Sequence, residues 1–195
     1  MATVEIDESI DAFGDQLGAF RQRAEALGVD VWWVAAPRGA AEAIAAFANE
    51  IGAGEIVVAA ELAVAAPALI SALADQGVEL GHAGHLASTK DAPLGLSLAR
   101  LAVAETGSVM LAESTLEDRG IGMLAVTQVV ICPADKLVAS LDDAVDALRA
   151  VALQSGGGYA TLVTGPSRTA DIERVLTVGV QGPARVAVLF VDELG

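Results

Sequence analysis

The sequence predicts an α/β fold in which a mostly parallel sheet carries helices on both faces. Three observations lead there. Short apolar runs alternate with longer stretches of helical spacing, the pattern of strands connected by helices. Hydrophobic residues make up 54% of the chain but aromatic residues only 4%, so the layers must approach closely over Ala and Gly rather than around large rings. The length of 195 residues suits one domain able to bury a core without disulfides.

The elements follow in order. Ile6, Ile10, Phe13, Leu17, Phe20, Ala24 and Leu27 recur at spacings of four and three, which places them on one stripe of an N-terminal amphipathic helix that Gly28 stops. That stripe either packs on the protein's own body or docks a partner or second copy. The organisation expected is a helical extension over 1–28 and a single α/β domain over 29–195. A buried strand over 31–35, a helix over 38–50 and a strand over 55–59 come next. In the strand over 31–35, pleating sends Trp32 and Trp33 to opposite faces. The stretch from Ile56 to Ala74 is nearly apolar, but Glu61 and Pro67 interrupt it, so it reads as strand, loop and a helix over 66–76 rather than a membrane span. Strands are expected at 78–80, 98–104, 109–112, 125–132, 160–164 and 186–191, with a helix over 141–151. The consecutive strands in the middle imply some antiparallel pairing.

Charge narrows the partners. A net charge of −15 repels phosphodiester backbones and acidic headgroups, and the 11 basic residues are scattered. Cys132 is the single cysteine, which excludes an internal disulfide, a CxxC pair and a cysteine-ligated iron–sulfur cluster held by this chain alone. Cys132 itself reads as a small buried hydrophobe. The N-terminus lacks the basic, apolar and cleavage regions of a secretory signal, so the cytoplasm is the compartment expected. Gly156, Gly157 and Gly158 read as a flexible joint, since neither a Walker loop nor GxGxxG is present. His82 and His85 stand three apart between glycines, which favours a solvated loop over a metal site.

Two constellations carry chemistry. The first is Thr164, Gly165, Pro166, Ser167, Arg168, Thr169, Ala170, Asp171, Ile172 and Glu173, read as a strand-to-helix turn. Such a turn offers amides, two hydroxyls and a guanidinium to a carboxylate, phosphate or polyhydroxyl ligand. Asp171 and Glu173 would repel an anion, and either accept ligand hydroxyls or pair with Arg168. The plainer reading makes Ser167 or Thr169 a helix N-cap. The second constellation is Ala104, Glu105, Thr106, Gly107 and Ser108, between two apolar runs. There Glu105 is either a desolvated base or acyl-accepting nucleophile, or a residue closing a hairpin whose turn needs Gly107.

These two stretches, with Gly179-Val180-Gln181-Gly182-Pro183 and the final strand to Asp192, resemble the signature of the LUD-domain family. The resemblance implies a Rossmann-like sheet similar to that of isomerases, CoA transferases and folate cyclo-ligases, with ligands at strand ends. It also implies a role beside two iron–sulfur proteins in oxidising L-lactate to pyruvate, with this chain as a non-redox accessory or ligand-binding subunit. No organic cofactor is specified. An acyl or CoA transferase using Glu105, or a sugar-phosphate or nucleotide binder using Ser167, Arg168 and Thr169, are the alternatives. The family commonly has His where this chain has Gln181, which keeps hydrogen bonding but loses titration near neutrality. Glu105 and the turn from Ser167 to Asp171 are expected to face one cleft.

Overall fold

The first described element is helix α1, Asp11–Ala26, which Gly28 ends before strand β1, Val29–Val34. The computed structural model describes residues 11–154, 158–169, 177–178 and 182–194. Ile6, Ile10, Gly156, Gly157, Ala170, Asp171, Ile172, Glu173, Gly179, Val180 and Gln181, all used above, lie outside the described residues. Helix α2, Pro37–Ile51, starts on a proline, whose fixed φ suits a first helical turn. Strand β2 (Glu55–Val58), helices α3 (Ala60–Ala65) and α4 (Pro67–Asp75), strand β3 (Glu79–His82) and helix α5 (Leu86–Thr89) follow. His85 stands just before α5, and both it and His82 are exposed.

The middle of the chain departs from the expected single strand over 98–104. Strand β4, Leu94–Leu98, and strand β5, Leu101–Val103, belong to different sheets. The Ala99 amide donates to Ile131 in the larger sheet and the Arg100 amide to Met110 in the smaller one, each at 2.7 Å. The chain therefore changes sheets between two adjacent residues. An apolar run cannot reveal this, because both halves are equally buried. Strand β6 (Ser108–Leu111), helix α6 (Leu116–Leu124), strand β7 (Thr127–Pro133), strand β8 (Leu137–Val138) and helix α7 (Val145–Ala152) complete the centre. The chain makes a second crossing between sheets from β7 to β8, through a short 3-10 turn at Ala134–Lys136.

Strands β9 (Thr161–Val163), β10 (Arg168–Thr169), β11 (Thr177–Val178) and β12 (Arg185–Val191) follow. Within the expected strand-to-helix turn, Arg168 and Thr169 are strand, pairing antiparallel with Val178 and Thr177, and residues 170–176 lie outside the described residues.

Six parallel strands form the larger sheet in the order β1-β12-β7-β4-β2-β3, and the smaller sheet runs β8-β5-β6-β9 with mixed pairing. Alternate residues supply two cores. Ile44, Phe47, Leu69 and Leu73 from α2 and α4 pack with Leu94, Leu96, Val129 and Leu189. On the other face Phe20 and Ala24 of α1 pack with Val31, Trp33, Val130 and Phe190, together with Ala102, Val109 and Leu111 of the smaller sheet. The described part of the α1 stripe thus covers the protein's own body. Phe20 is fully buried and meets Phe190 edge-on at 5.0 Å, a burial that stabilises by about 2 kcal/mol. Cys132 lies in the same core, where burial pushes its thiol well above its ordinary value. No described helix is long and apolar enough to cross a membrane.

Candidate functional site

Parallel strands direct all their carboxyl ends to one edge, and the loops that leave in opposite directions there open a crevice. In this sheet the chain leaves β2 for β3 on one side and leaves β4 for β7 on the other. A cleft of about 640 Å³ stands at this edge, lined by Glu61, Leu98, Arg100, Leu101, Pro133, Asp135, Lys136, Val138 and Asp143 among others. Both crossings between the sheets, at 98–101 and 133–138, form its walls. A second cleft of about 560 Å³ shares Pro133 and Asp135 with it and continues to Pro37, Asp192 and Glu193 beyond β1 and β12.

Glu61 is held from behind. Thr115 caps α6 by accepting the Asp118 amide at 3.1 Å, and the buried Asp118 carboxylate in turn accepts the amides of Ala60 at 2.8 Å and Glu61 at 3.4 Å. These are the unsatisfied first amides of α3. Burial raises the Glu61 carboxyl above its ordinary value, Arg100 lowers it in opposition, and Asp118 adds to the rise. Among the described residues the Arg100 guanidinium makes no ion pair or side-chain hydrogen bond.

Behind the same edge runs a buried polar chain. Gln128 Nε2 donates to Ser97 Oγ at 3.0 Å, and Ser97 Oγ donates to Glu113 Oε1 at 3.1 Å. Burial pushes the Glu113 carboxyl up to about 7; the Ser97 hydroxyl and Arg119 oppose this, while Asp118 and Glu61 add to it. Sequence reasoning missed Glu61, Arg100, Glu113 and Asp118 as site residues. A signal existed for Asp118, since Thr115-Leu116-Glu117-Asp118 has the spacing of a capping box before a helix. Glu113 carried none, because only the folded sheet brings Ser97 beside it.

The residues singled out in the sequence lie elsewhere. Ser108 Oγ and Thr164 Oγ1 are 2.8 Å apart, so β6–β9 pairing does join the two stretches at that point. Glu105 is exposed, and its carboxylate accepts the Leu141 amide at 3.0 Å. Thr106 is half-buried. Gly107 has φ of 65°, and a Cβ there would lie 2.7 Å from the Ala24 nitrogen in α1. Gly165 packs beside Leu27, the Ser167 amide donates to Pro183 at 2.9 Å, and Arg168 donates to the Leu27 carbonyl just past α1. Pro166 is half-buried between them. Neither cleft is lined by any described residue of these two stretches. Gly107, Gly165, Ser167 and Arg168 gather at the opposite, amino edge of the parallel sheet, next to the entrances of β1 and β12.

Comparison with known proteins agrees with this architecture. Lactate utilization protein C of Bacillus subtilis (strain 168) is 32% identical over 125 residues, 62% of this chain and 49% of that protein. Lactate utilization protein C 1 of Bacillus mycoides (strain KBAB4) is 34% identical over 106 residues, 53% of this chain and 45% of that protein. The chain thus spans about half the length of the curated relatives it matches. The fold is shared with the crystal structure of a DUF162 family protein from Deinococcus radiodurans, at a TM-score of 0.64 and 20% identity, over 93% of this chain and 99% of that one. Residues 17–191 match the LUD domain, nearly the whole of both sheets, and the resemblance read from the sequence is borne out: the chain belongs to the LUD-domain family.

Proposed function

We propose that this chain serves lactate utilization as a non-redox accessory subunit. It holds a small organic acid in the carboxyl-edge cleft while iron–sulfur partner proteins accept the two electrons that L-lactate gives up on becoming pyruvate. The ligand-holding half rests on one observation: a cleft at the divergence of strand-end loops contains a guanidinium with no carboxylate partner among the described residues. The lactate half rests on the names of the relatives. The need for redox partners rests on composition, since one cysteine cannot ligate a cluster.

Deleting the chain from its native host tests the reading. Growth on L-lactate as sole carbon source is expected to fail and to return with the wild-type chain. A tagged copy is expected to co-purify iron–sulfur proteins, recognised by their visible absorption. Unchanged growth on L-lactate, or oxidation of L-lactate by the purified chain alone, overturns the proposal.

A further inference from the structure

We infer that the carboxyl-edge cleft selects a small monocarboxylate bearing a hydroxyl or carbonyl oxygen beside its carboxyl, with Arg100 holding the carboxylate and Glu61 the neighbouring oxygen. This rests on reading that cleft as the ligand site, and adds to it which acids are accepted and which are refused.

Five charged side chains line the cleft: Glu61, Arg100, Asp135, Lys136 and Asp143. Two of the acids already have partners. Lys136 Nζ lies 2.6 Å from Asp135 Oδ2, and Asp143 Oδ2 accepts the Ser140 amide at 2.9 Å and the Ser140 hydroxyl at 2.8 Å. Arg100 is then the one lining cation without an ion pair among the described residues, so it is the group that takes a ligand carboxylate, in a cleft whose three carboxylates already outnumber its two cations. A second carboxylate on the ligand would face Glu61, Asp135 or Asp143, and like charges at such range cost affinity.

Glu61 supplies the other half of the recognition. Its attraction to Arg100 puts the two groups within electrostatic reach of one another, and the Asp118 carboxylate fixes the backbone that carries it. Asp118 is therefore a positioning residue, and because it occupies the first amides of α3, that helix end is not available to an anion. An ionised Glu61 accepts a hydrogen bond from an α-hydroxyl; a protonated one donates to an α-keto oxygen. The raised Glu61 carboxyl makes both forms accessible nearer neutrality than an ordinary glutamate allows. The remaining wall is apolar, with Leu98, Leu101, Val138 and Ala147. Since a volume of about 640 Å³ far exceeds a methyl group, longer apolar tails should be accepted as readily as that of lactate.

Isothermal titration of the whole chain at neutral pH tests this, with L-lactate, propionate, L-malate and L-2-hydroxyisocaproate as the probes. L-lactate and L-2-hydroxyisocaproate are expected to bind. Propionate, which lacks the hydroxyl, and L-malate, which adds a carboxylate, are each expected to bind about tenfold more weakly or worse. Arg100→Ala is expected to weaken L-lactate about a hundredfold, with Arg100→Lys recovering part of the loss because a point charge replaces a two-pronged one. Glu61→Ala is expected to bring L-lactate down to the level of propionate while leaving propionate unchanged, and circular dichroism checks that each variant folds. L-malate binding as tightly as L-lactate overturns the inference, as does an equal loss of both monocarboxylates in Glu61→Ala. No binding of any probe, in a protein whose deletion still abolishes growth on L-lactate, overturns the inference and leaves the accessory role standing. Discriminating binding with unchanged growth supports the inference and removes the lactate role.

Discussion

The two edges of the larger sheet use polar residues in opposite ways. At the carboxyl edge, hydrogen bonds reach side chains from behind: Asp118 fastens the backbone of Glu61, and Ser97 holds Glu113, while the charged head of Arg100 stays without a partner among the described residues. At the amino edge several polar groups are taken up by the chain itself: Ser108 meets Thr164, Arg168 takes the Leu27 carbonyl, and the Ser167 amide takes Pro183, while the neighbouring Thr106 hydroxyl is buried without a partner among the described residues. Polar density in a sequence marks both edges equally. What separates them is whether charged side chains are left facing a cleft after folding.

This contrast is broken or sharpened by measurement, beginning with the amino edge. If that edge is structural, Gly107→Val should cost about 4 kcal/mol of stability, combining a β-branched residue at positive φ with overpacking against α1. Urea denaturation gives the value, and a loss below about 1 kcal/mol would show that α1 is not clamped there.

The next largest effect belongs to the carboxyl edge. A folded carboxyl at about 7 binds its proton more tightly than the ordinary 4.5 of the unfolded chain, so the folded state carries more protons between those two values. Stability is then fully present below about pH 4.5 and declines as pH rises toward 7, by on the order of 3 kcal/mol. Glu113→Gln should flatten this slope and be the more stable protein at pH 8. Parallel slopes in the two proteins would remove Glu113 as the source.

Asp118→Ala should cost about 2 kcal/mol, by leaving the first amides of α3 without an acceptor. It should also lower L-lactate affinity through Glu61, whereas a purely structural residue would lower stability alone. The smallest effect is expected at Glu105→Ala, under about 1 kcal/mol for one exposed capping contact with Leu141. Loss of growth on L-lactate with that variant, at unchanged stability, would return the functional centre to Glu105.

Much of the fold was legible in the sequence for a plain reason: β1, α2, β2 and β12 follow unbroken periodicity, and their observed bounds fall within a few residues of those expected. Helix α6 was not legible. It contains Gly120 and Gly122, poor helix formers, yet close packing demands small residues here. A Cβ on Gly120 would lie 2.7 Å from Thr89 Oγ1, and one on Gly95 beneath the helix 2.4 Å from Ile121 Cγ2. Gly120, which hides the helix from propensity, lets it sit against α5, and Gly95 lets it sit against the sheet. The site was legible even less. Arg100 falls inside the strand expected over 98–104, and its place at a change of sheets depends on which strands accept the amides of Ala99 and Arg100.

The pairing of β1 with β12 has a kinetic consequence. Val29 lies opposite Val186, 157 positions later, and among the described residues β1 has no other neighbour in the larger sheet. At a synthesis rate of roughly 5–20 residues per second, β1 leaves the ribosome roughly 8–30 s before its partner exists. During that interval Val31 and Trp33 must be shielded by α1 or by a chaperone. Any shortened chain lacking 185–191 would strand β1 as an orphan, and should accumulate as aggregate rather than as a smaller folded protein.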